Sequence, residues 1–523
     1  MFSQVDTSRS PPRVTIPREY NAAVDFVDRH VAEGRGEKLA FIDDRGSITY
    51  AGLAERVARA GSALRALGCG PEQRVAMAML DSIDFPSVFW GAIKVGAVPV
   101  PLNTLLTTAD YTFMLRDSRA TVAVVSDELL EKLRPAAEAS PFLRELVPTS
   151  RLEALLASAS ADLTPAPTCS DDVAFWLYSS GSTGTPKGAM HLQSHLVQTA
   201  ALYGRGVLSL REDDVVFSAA KLFFAYGLGN AMTFPLHVGA TAILMAERPT
   251  PASVMRKLKE HAPTIFGGVP TLFASILADP SLDRGAGSPR LRASISAGEA
   301  LPERIGERWR ERFGTDILDG IGSTEMLHIF ISNRHGDVRY GTSGKPVPGY
   351  AVKLTDDSGE PTPDGEDGAL WVRGPSACLA YWNQRDKSLA TFHGPWTRTG
   401  DRYVRDADGY YTYAGRSDDM LKVGGIWVSP FEVESALTAH DAVLEAAVVG
   451  HSDDDGLIKP RAFVVLKSAR ALAHAEADAL AEELKTFVKS RLALYKYPRW
   501  IVFTDELPKT ATGKIQRYKL RTS

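Results

Sequence analysis

Residues 178–188 read YSSGSTGTPKG, a run of Gly, Ser and Thr that closes on Pro186 and Lys187 and follows directly on the apolar stretch Val173 to Tyr178. A buried strand feeding a glycine-rich loop is the expected local structure. Glycines let backbone amides turn toward phosphate oxygens, hydroxyls add donors, and a lysine adds a compact positive charge. Ser179, Ser180, Gly181, Ser182, Thr183, Gly184, Thr185 and Lys187 are therefore candidate polyphosphate contacts. The loop is not a P-loop. Pro186 stands five residues after Gly181 where a glycine would be needed, and Gly188 rather than Ser or Thr follows the lysine.

Upstream, strand-length apolar runs (Leu39 to Ile42, Val75 to Leu80, Val98 to Val100) alternate with helical periods such as Ala51 to Leu67, which stops at Gly68. That alternation predicts βα units and an α/β body of mixed or parallel, helix-covered sheets. Downstream, short strands broken by Gly, Pro and Asp, among them Val352 to Leu354 and Ala369 to Val372, predict a small β-barrel-like subdomain over about 342–417. After GRSDDMLK at 415–422 the composition resets: strands near Ala446 to Val449 and Ala462 to Leu466 precede a helix with Leu480, Leu484, Phe487, Val488 and Leu492 on one face. The expected division is an N-terminal domain, 1–417, and a smaller, mobile α+β C-terminal domain, 418–523.

The bulk composition fits a globular enzyme. Of 523 residues, 44% are hydrophobic and 23% charged, with a formal charge of −4. That length suits roughly three domain-sized units. No Lys/Arg-rich run is present to follow a nucleic-acid backbone or an anionic membrane. The polar start and the absence of any apolar run near the ~18 residues that span a bilayer predict a cytoplasmic protein. Cys69, Cys169 and Cys378 are too few and too scattered for a disulfide framework or a zinc ribbon.

The 178–188 loop resembles the phosphate-binding signature of the adenylate-forming superfamily, which includes acyl-CoA synthetases, firefly-type luciferases and peptide-synthetase adenylation domains. Further strings follow in the family's order. SAGEAL at 296–301 is similar to the adenine-contacting segment, DGIGSTE at 319–325 to the adenylate motif, and TGD at 399–401 to the ribose-binding turn. GRSDDMLKVGGIWVSPFEVE at 415–434 resembles the interdomain hinge, and PKTATGKIQR at 508–517 the motif with the catalytic lysine.

The resemblance implies an enzyme that forms an acyl-AMP from ATP and a carboxylic acid, then passes the acyl group to coenzyme A. It implies Mg²⁺ held at Glu325 and Thr183, an α-phosphate contact from Thr324, and a nucleotide site of Gly298, Glu299, Ala300, Asp319, Gly320, Ile321, Gly322, Ser323, Asp401 and Arg416. Ile321 departs from the family's usual aromatic residue, so aliphatic packing replaces adenine stacking there. Lys514 corresponds to the lysine that bridges carboxylate and phosphate, Asp418 to the hinge, and Gly424 and Gly425 to the segment that serves the CoA step. By the same resemblance Lys514 is a target for a lysine acetyltransferase and deacetylase.

KLFFAYGLGN at 221–230 occupies the acyl-pocket motif, with Lys221 and Phe224 where many members have Pro and His. Together with FGGVPT at 266–271 and STEMLHIF at 323–330 it resembles benzoate and hydroxybenzoate CoA ligases more than fatty-acid or acetate ligases. The ring pocket is assigned to Phe224, Ala225, Tyr226, Gly227, Gly322, His328 and Ile329. Benzoate is the expected acid. 4-Hydroxybenzoate, fluorobenzoates and small heteroaromatic acids stay open, because an apolar pocket rejects an added hydroxyl only ~10²-fold. GLGNAM at 227–232 lacks the third glycine of a dinucleotide fingerprint, and HLQSH at 191–195 lacks the glutamate of a zinc-protease helix. Competing readings are an adenylation enzyme loading a carrier protein, a luciferase-type oxygenase and a regulatory nucleotide-binding protein. A monomer or homodimer is expected.

Overall fold

The computed structural model describes residues 2–180, 186–282, 284–416, 419–423, 426–453, 457–467, 474–492, 494–509 and 515–521. The α/β body is built on two sheets. One is four-stranded and wholly parallel, in the order Val98–Pro101, Arg74–Ala78, Val122–Val125, Glu145–Pro148. The other has nine strands. Its centre, from Ile317–Gly322 through Ala293–Ser296, Ile265–Gly268, Val215–Ser218 and Thr241–Ile243 to Leu39–Asp43, is parallel. Both ends turn antiparallel: Ile329–Ser332 and Lys345–Pro346 on one side, Gly46–Thr49 on the other. Parallel strands buried on both faces read as nearly continuous apolar runs, which is why Val122–Val125 and Ile265–Gly268 are buried throughout.

Helix Tyr50–Ala66 begins where the Thr49 side chain accepts the Gly52 amide at 3.2 Å. It packs on helix Asp84–Lys94 at a contact open to glycine alone: a Cβ at Gly91 would lie 2.8 Å from the Gly61 nitrogen. Gly91→Ala is therefore expected to cost ~1–3 kcal/mol of stability, read as a lowered midpoint of thermal unfolding.

The strand expected at Val173 to Tyr178 is present as Val173–Ser180, and it pairs antiparallel with a second strand, Pro186–Leu192. Residues 379–382 run along the outer edge of this hairpin, with Leu379 N to Met190 O at 2.9 Å and Trp382 N to Gly188 O at 2.8 Å. Trp176 and Trp382 pack together there, ring centroids 4.6 Å apart and planes tilted by 35°.

The β-rich segment is a five-stranded antiparallel sheet that includes Ala351–Thr355, Asp367–Arg373, Trp396–Arg405 and Tyr411–Arg416. Toward the C-terminus, Val443–Ser452, Ile458–Leu466 and Trp500–Phe503 form a separate sheet packed against helices Pro430–Thr438 and His474–Lys489. Leu484 and Val488 enter that core as expected. Phe487 instead lies edge-on to His440, at a centroid distance of 4.9 Å. No described helix is long and apolar enough to cross a membrane.

Candidate active site

In an open α/β sheet the crevice beyond the carboxyl ends of the parallel strands is where ligands bind. Here Gly298, Glu299 and Ala300 follow strand Ala293–Ser296, and Gly320 to Glu325 end and follow strand Ile317–Gly322. Both segments line one cleft of about 2450 Å³. Ser179 and Lys187, opposite one another in the hairpin register, enter it from a second side. Asp401, Arg416 and Thr399 form a third. Residues of the C-terminal part, among them Glu434, Gln516 and Arg517, close it.

Glu325 lies at the meeting point. Its Oε1 accepts from the Tyr381 hydroxyl at 2.7 Å and the Ser179 hydroxyl at 3.3 Å. The Lys187 ammonium donates to the same Tyr381 oxygen at 3.3 Å and sits 4.5 Å from the Tyr381 ring centroid. Burial draws the Lys187 ammonium below the usual lysine range, and burial followed by the Glu325 charge holds the Tyr381 phenol well above its own. Tyr381 is thus a fixed donor between the acid and the base. No local pattern marks it, because the contact depends on residues 379–382 reaching the hairpin edge.

Thr324 precedes this acid in a turn that includes Leu327 at φ +67°. The Thr324 carbonyl accepts from His191 Nε2 at 2.8 Å. Burial pushes His191 down to about 4, so at neutral pH the ring is an uncharged donor. The HLQSH string therefore has a supporting place beneath the site: His191 and His195, both buried, approach at 3.2 Å. Among the described residues no group of three or more His, Cys, Asp or Glu is placed to hold a metal.

On the third side, Asp401 and Arg416 are cross-strand partners, with Arg416 Nη1 donating to Asp401 Oδ1 at 3.2 Å and to the Thr399 carbonyl at 3.3 Å. Gly400 takes φ +79°, and a Cβ there would come 2.9 Å from the Arg416 guanidinium. Ile321 lines the cleft as an aliphatic wall.

Asp319 does not reach that wall. It is 3% exposed and lies under the sheet end, where burial pushes its carboxyl up to about 8. The folded protein keeps a proton there that the unfolded chain loses near pH ~4. Stability from this group is complete below that pH and is lost as the pH rises toward 8. Asp319→Asn is expected to remove this component, seen as a variant-minus-parent unfolding midpoint that climbs between acid and mildly alkaline pH.

Of the residues assigned to the ring pocket, Phe224 and Gly322 line the cleft. Ala225, Tyr226 and Gly227 form the start of the short helix Ala225–Leu228. The Tyr226 hydroxyl is 2.9 Å from the Ile295 carbonyl and 3.0 Å from that of Gly268, at the ends of two parallel strands. His328 donates from Nε2 to the Tyr226 carbonyl at 3.3 Å and packs among Tyr203, Phe234 and Tyr226. Burial pushes it down to about 3, so it is neutral. Gly322 passes so close to this strand that a Cβ would lie 2.6 Å from the His328 carbonyl oxygen. Ile329 is 2% exposed and belongs to the core behind the pocket. Lys221 ties the motif down, its ammonium donating to the carbonyls of Met245, Ala246 and Glu247. Gly181, Ser182, Thr183, Gly184, Thr185, Asp418, Gly424, Gly425 and Lys514 lie outside the described residues.

The cleft thus joins a hydroxyl- and lysine-bearing hairpin, a carboxylate and the Asp401–Arg416 pair, with Phe224 and Gly322 in its lining. The benzoate–CoA ligase of Thauera aromatica is 60% identical to this chain over 529 aligned residues, covering 100% of this chain and 99% of its own. The 4-hydroxybenzoate–CoA/benzoate–CoA ligase of Rhodopseudomonas palustris is 54% identical, over 96% of this chain and 94% of its own. The crystal structure of a benzoate CoA ligase from Burkholderia xenovorans LB400 superposes with a TM-score of 0.90 at 54% identity, over 96% of this chain and all of that one. Residues 28–382 match the AMP-binding enzyme model and residues 432–514 that of the AMP-binding enzyme C-terminal domain, so the chain belongs to the AMP-binding enzyme family.

Proposed function

We propose that this protein is an AMP-forming benzoate–CoA ligase. A benzoate carboxylate oxygen attacks the α-phosphorus of ATP, the α–β phosphoanhydride bond breaks, and diphosphate leaves. The sulfur of CoA then attacks the carbonyl carbon of benzoyl-AMP, the acyl–phosphate bond breaks with AMP as leaving group, and the thiol proton passes to solvent. Full-length similarity to benzoate–CoA ligases carries this reading.

The roles of individual residues form part of the proposal. Asp401 takes the ribose hydroxyls with Arg416 beside it, Gly298 to Ala300 and Ile321 flank adenine, and the 179–187 hairpin with Lys187 holds the leaving diphosphate. Thr324 meets the α-phosphate, and Lys514 bridges the two reacting anions. The chain divides at 417/418, and rotation at Asp418 brings Gly424 and Gly425 to the second step. Lys514 acetylation and its reversal by a deacetylase would switch the first step alone.

Glu325 and the Ser179 hydroxyl present hard oxygen donors to the cleft, the type Mg²⁺ takes when it binds through one carboxylate and substrate phosphates. When bound, the ion offsets phosphate charge. Tyr381 holds the Glu325 carboxylate in place for it. Tyr381→Phe is expected to slow diphosphate release about tenfold, the effect of losing one hydrogen bond to a charged group, in assays at saturating ATP.

The direct test is incubation with ATP, Mg²⁺, CoA and a panel of acids headed by benzoate and 4-hydroxybenzoate, following AMP and thioester. Benzoyl-CoA with stoichiometric AMP is the expected result. AMP without thioester would redirect the acyl group to a carrier protein, and turnover of aliphatic acids alone would refute the pocket assignment.

A further inference from the structure

Phe224 reaches the cleft from a turn whose backbone is held by a side chain from the other sheet. Strand Val215–Ser218 of the nine-stranded sheet leads into residues 219–224, and the turn closes where the Phe224 amide donates to the Lys221 carbonyl at 3.1 Å. Leu222 and Phe223, its two central residues, are buried. The Leu222 amide donates to Asp81, whose carboxylate oxygens lie 3.2 and 3.3 Å from it. Asp81 follows strand Arg74–Ala78 of the four-stranded parallel sheet. One carboxylate, 3% exposed, therefore ties the two sheets together beside the acyl-pocket motif.

A charge so placed is expensive to bury. Burial pushes the Asp81 carboxyl up to about 6, while the Lys221 charge and the Leu222 amide draw it back, so at neutral pH it is an acceptor without a proton of its own. The turn has little slack on its other sides. The Lys221 ammonium is engaged with the Met245, Ala246 and Glu247 carbonyls. A Cβ at Gly227 would lie 2.1 Å from the Lys221 carbonyl oxygen. The Phe223 and Phe224 rings pack edge to face, centroids 4.3 Å apart. A buried ion is weak evidence for stability, but this one fixes the backbone two residues before a ring that lines the cleft.

We propose that Asp81 is a positioning residue that sets acid specificity: by accepting the Leu222 amide it fixes the 221–224 turn, and with it how far the Phe224 ring projects toward the aromatic acid. The inference rests on the reading of Phe224 as a wall of the ring pocket. A turn released from this acceptor lets the ring retreat, which loosens the fit to benzoate and makes room for a substituted ring. The Asp401–Arg416 side of the cleft is built on other strands and keeps its geometry.

The test is steady-state kinetics of the full chain, with KM measured for benzoate and for ATP, and kcat/KM compared between benzoate and 4-methylbenzoate. Asp81→Asn keeps nearly the same volume but puts an NH2 donor in place of one of the two oxygens that face the Leu222 amide. It is expected to raise the KM for benzoate ~3- to 10-fold, and Asp81→Ala ~10-fold or more, the scale of weakening or losing a hydrogen bond to a charged group. The KM for ATP is expected to stay within about twofold, and preference for benzoate over 4-methylbenzoate to narrow in both variants. An unchanged KM for benzoate in Asp81→Asn, an equal rise for ATP, or an unaltered preference would overturn the proposal, whether or not Asp81→Ala folds. Phe224→Ala run in parallel separates the two levels. If it shifts the KM for benzoate and the preference while Asp81→Asn does not, the tether alone is wrong; if it shifts neither, the reading of Phe224 as a pocket wall falls as well.

Discussion

Lys514→Ala is expected to lower benzoyl-AMP formation by ~10²- to 10³-fold, the usual cost of deleting one preorganised donor to developing charge, and to leave transfer from supplied benzoyl-AMP to CoA intact. The reason is electrostatic. The first step brings a carboxylate against a triphosphate, and every cation in the cleft has to offset that repulsion in a water-poor setting where charges act strongly. Lys187 is engaged with Tyr381, and Arg416 with Asp401. The second step joins a neutral acyl carbon to a thiol sulfur and has no such need. Rapid-quench measurement of diphosphate in the first step, and of thioester in the second, checks the asymmetry. Acetylated Lys514 is expected to mimic the alanine variant.

Glu325→Gln is expected to lower adenylation by a similar ~10²- to 10³-fold and to raise the Mg²⁺ concentration at half-maximal rate. The amide keeps the shape and an acceptor for the Tyr381 hydroxyl, 2.7 Å away in the parent protein, so the local fold should survive. What disappears is a negative charge in reach of Ser179, Tyr381 and Lys187. Titrating Mg²⁺ against the initial rate separates a lost metal ligand from a merely disturbed pocket. A disturbed pocket would lower the rate without moving the midpoint.

Much of this architecture is legible along the chain. Periodicity marks the strands at Leu39–Asp43, Arg74–Ala78 and Val98–Pro101 and the helix Tyr50–Ala66 to within a few residues. Short motifs lead to Glu325, Asp401 and Arg416, which the fold assembles from distant places in the sequence. The limits have physical causes. Tyr381 reaches Glu325 across 56 positions and His191 reaches Thr324 across 133, through pairings that no local pattern encodes. Asp319 belongs to a motif yet is 3% exposed, because it sits among the first four residues of strand Ile317–Gly322, all of them buried, two positions before Ile321 reaches the cleft. Ile329 is apolar enough for a pocket or a core, and only the packing decides between them. The antiparallel ends of the large sheet come from tight returns, such as the one in which Asp43 accepts the amides of Arg45 and Gly46 at 2.8 and 3.0 Å.

The pairing of Asp401 with Arg416 places the acid proposed to take the ribose opposite the last described residue before position 417, on antiparallel strands whose register shifts once, between Arg402 and Tyr403. With the ribose at Asp401, as proposed, nucleotide and C-terminal part would be attached to the same pair of strands. Thermodynamic reciprocity then applies: if a given orientation of the C-terminal part binds AMP more tightly by some factor, AMP favours that orientation by the same factor. Departure of AMP after thioester formation would on this account reset the orientation for the next ATP, so that product release and domain return become one event in the cycle.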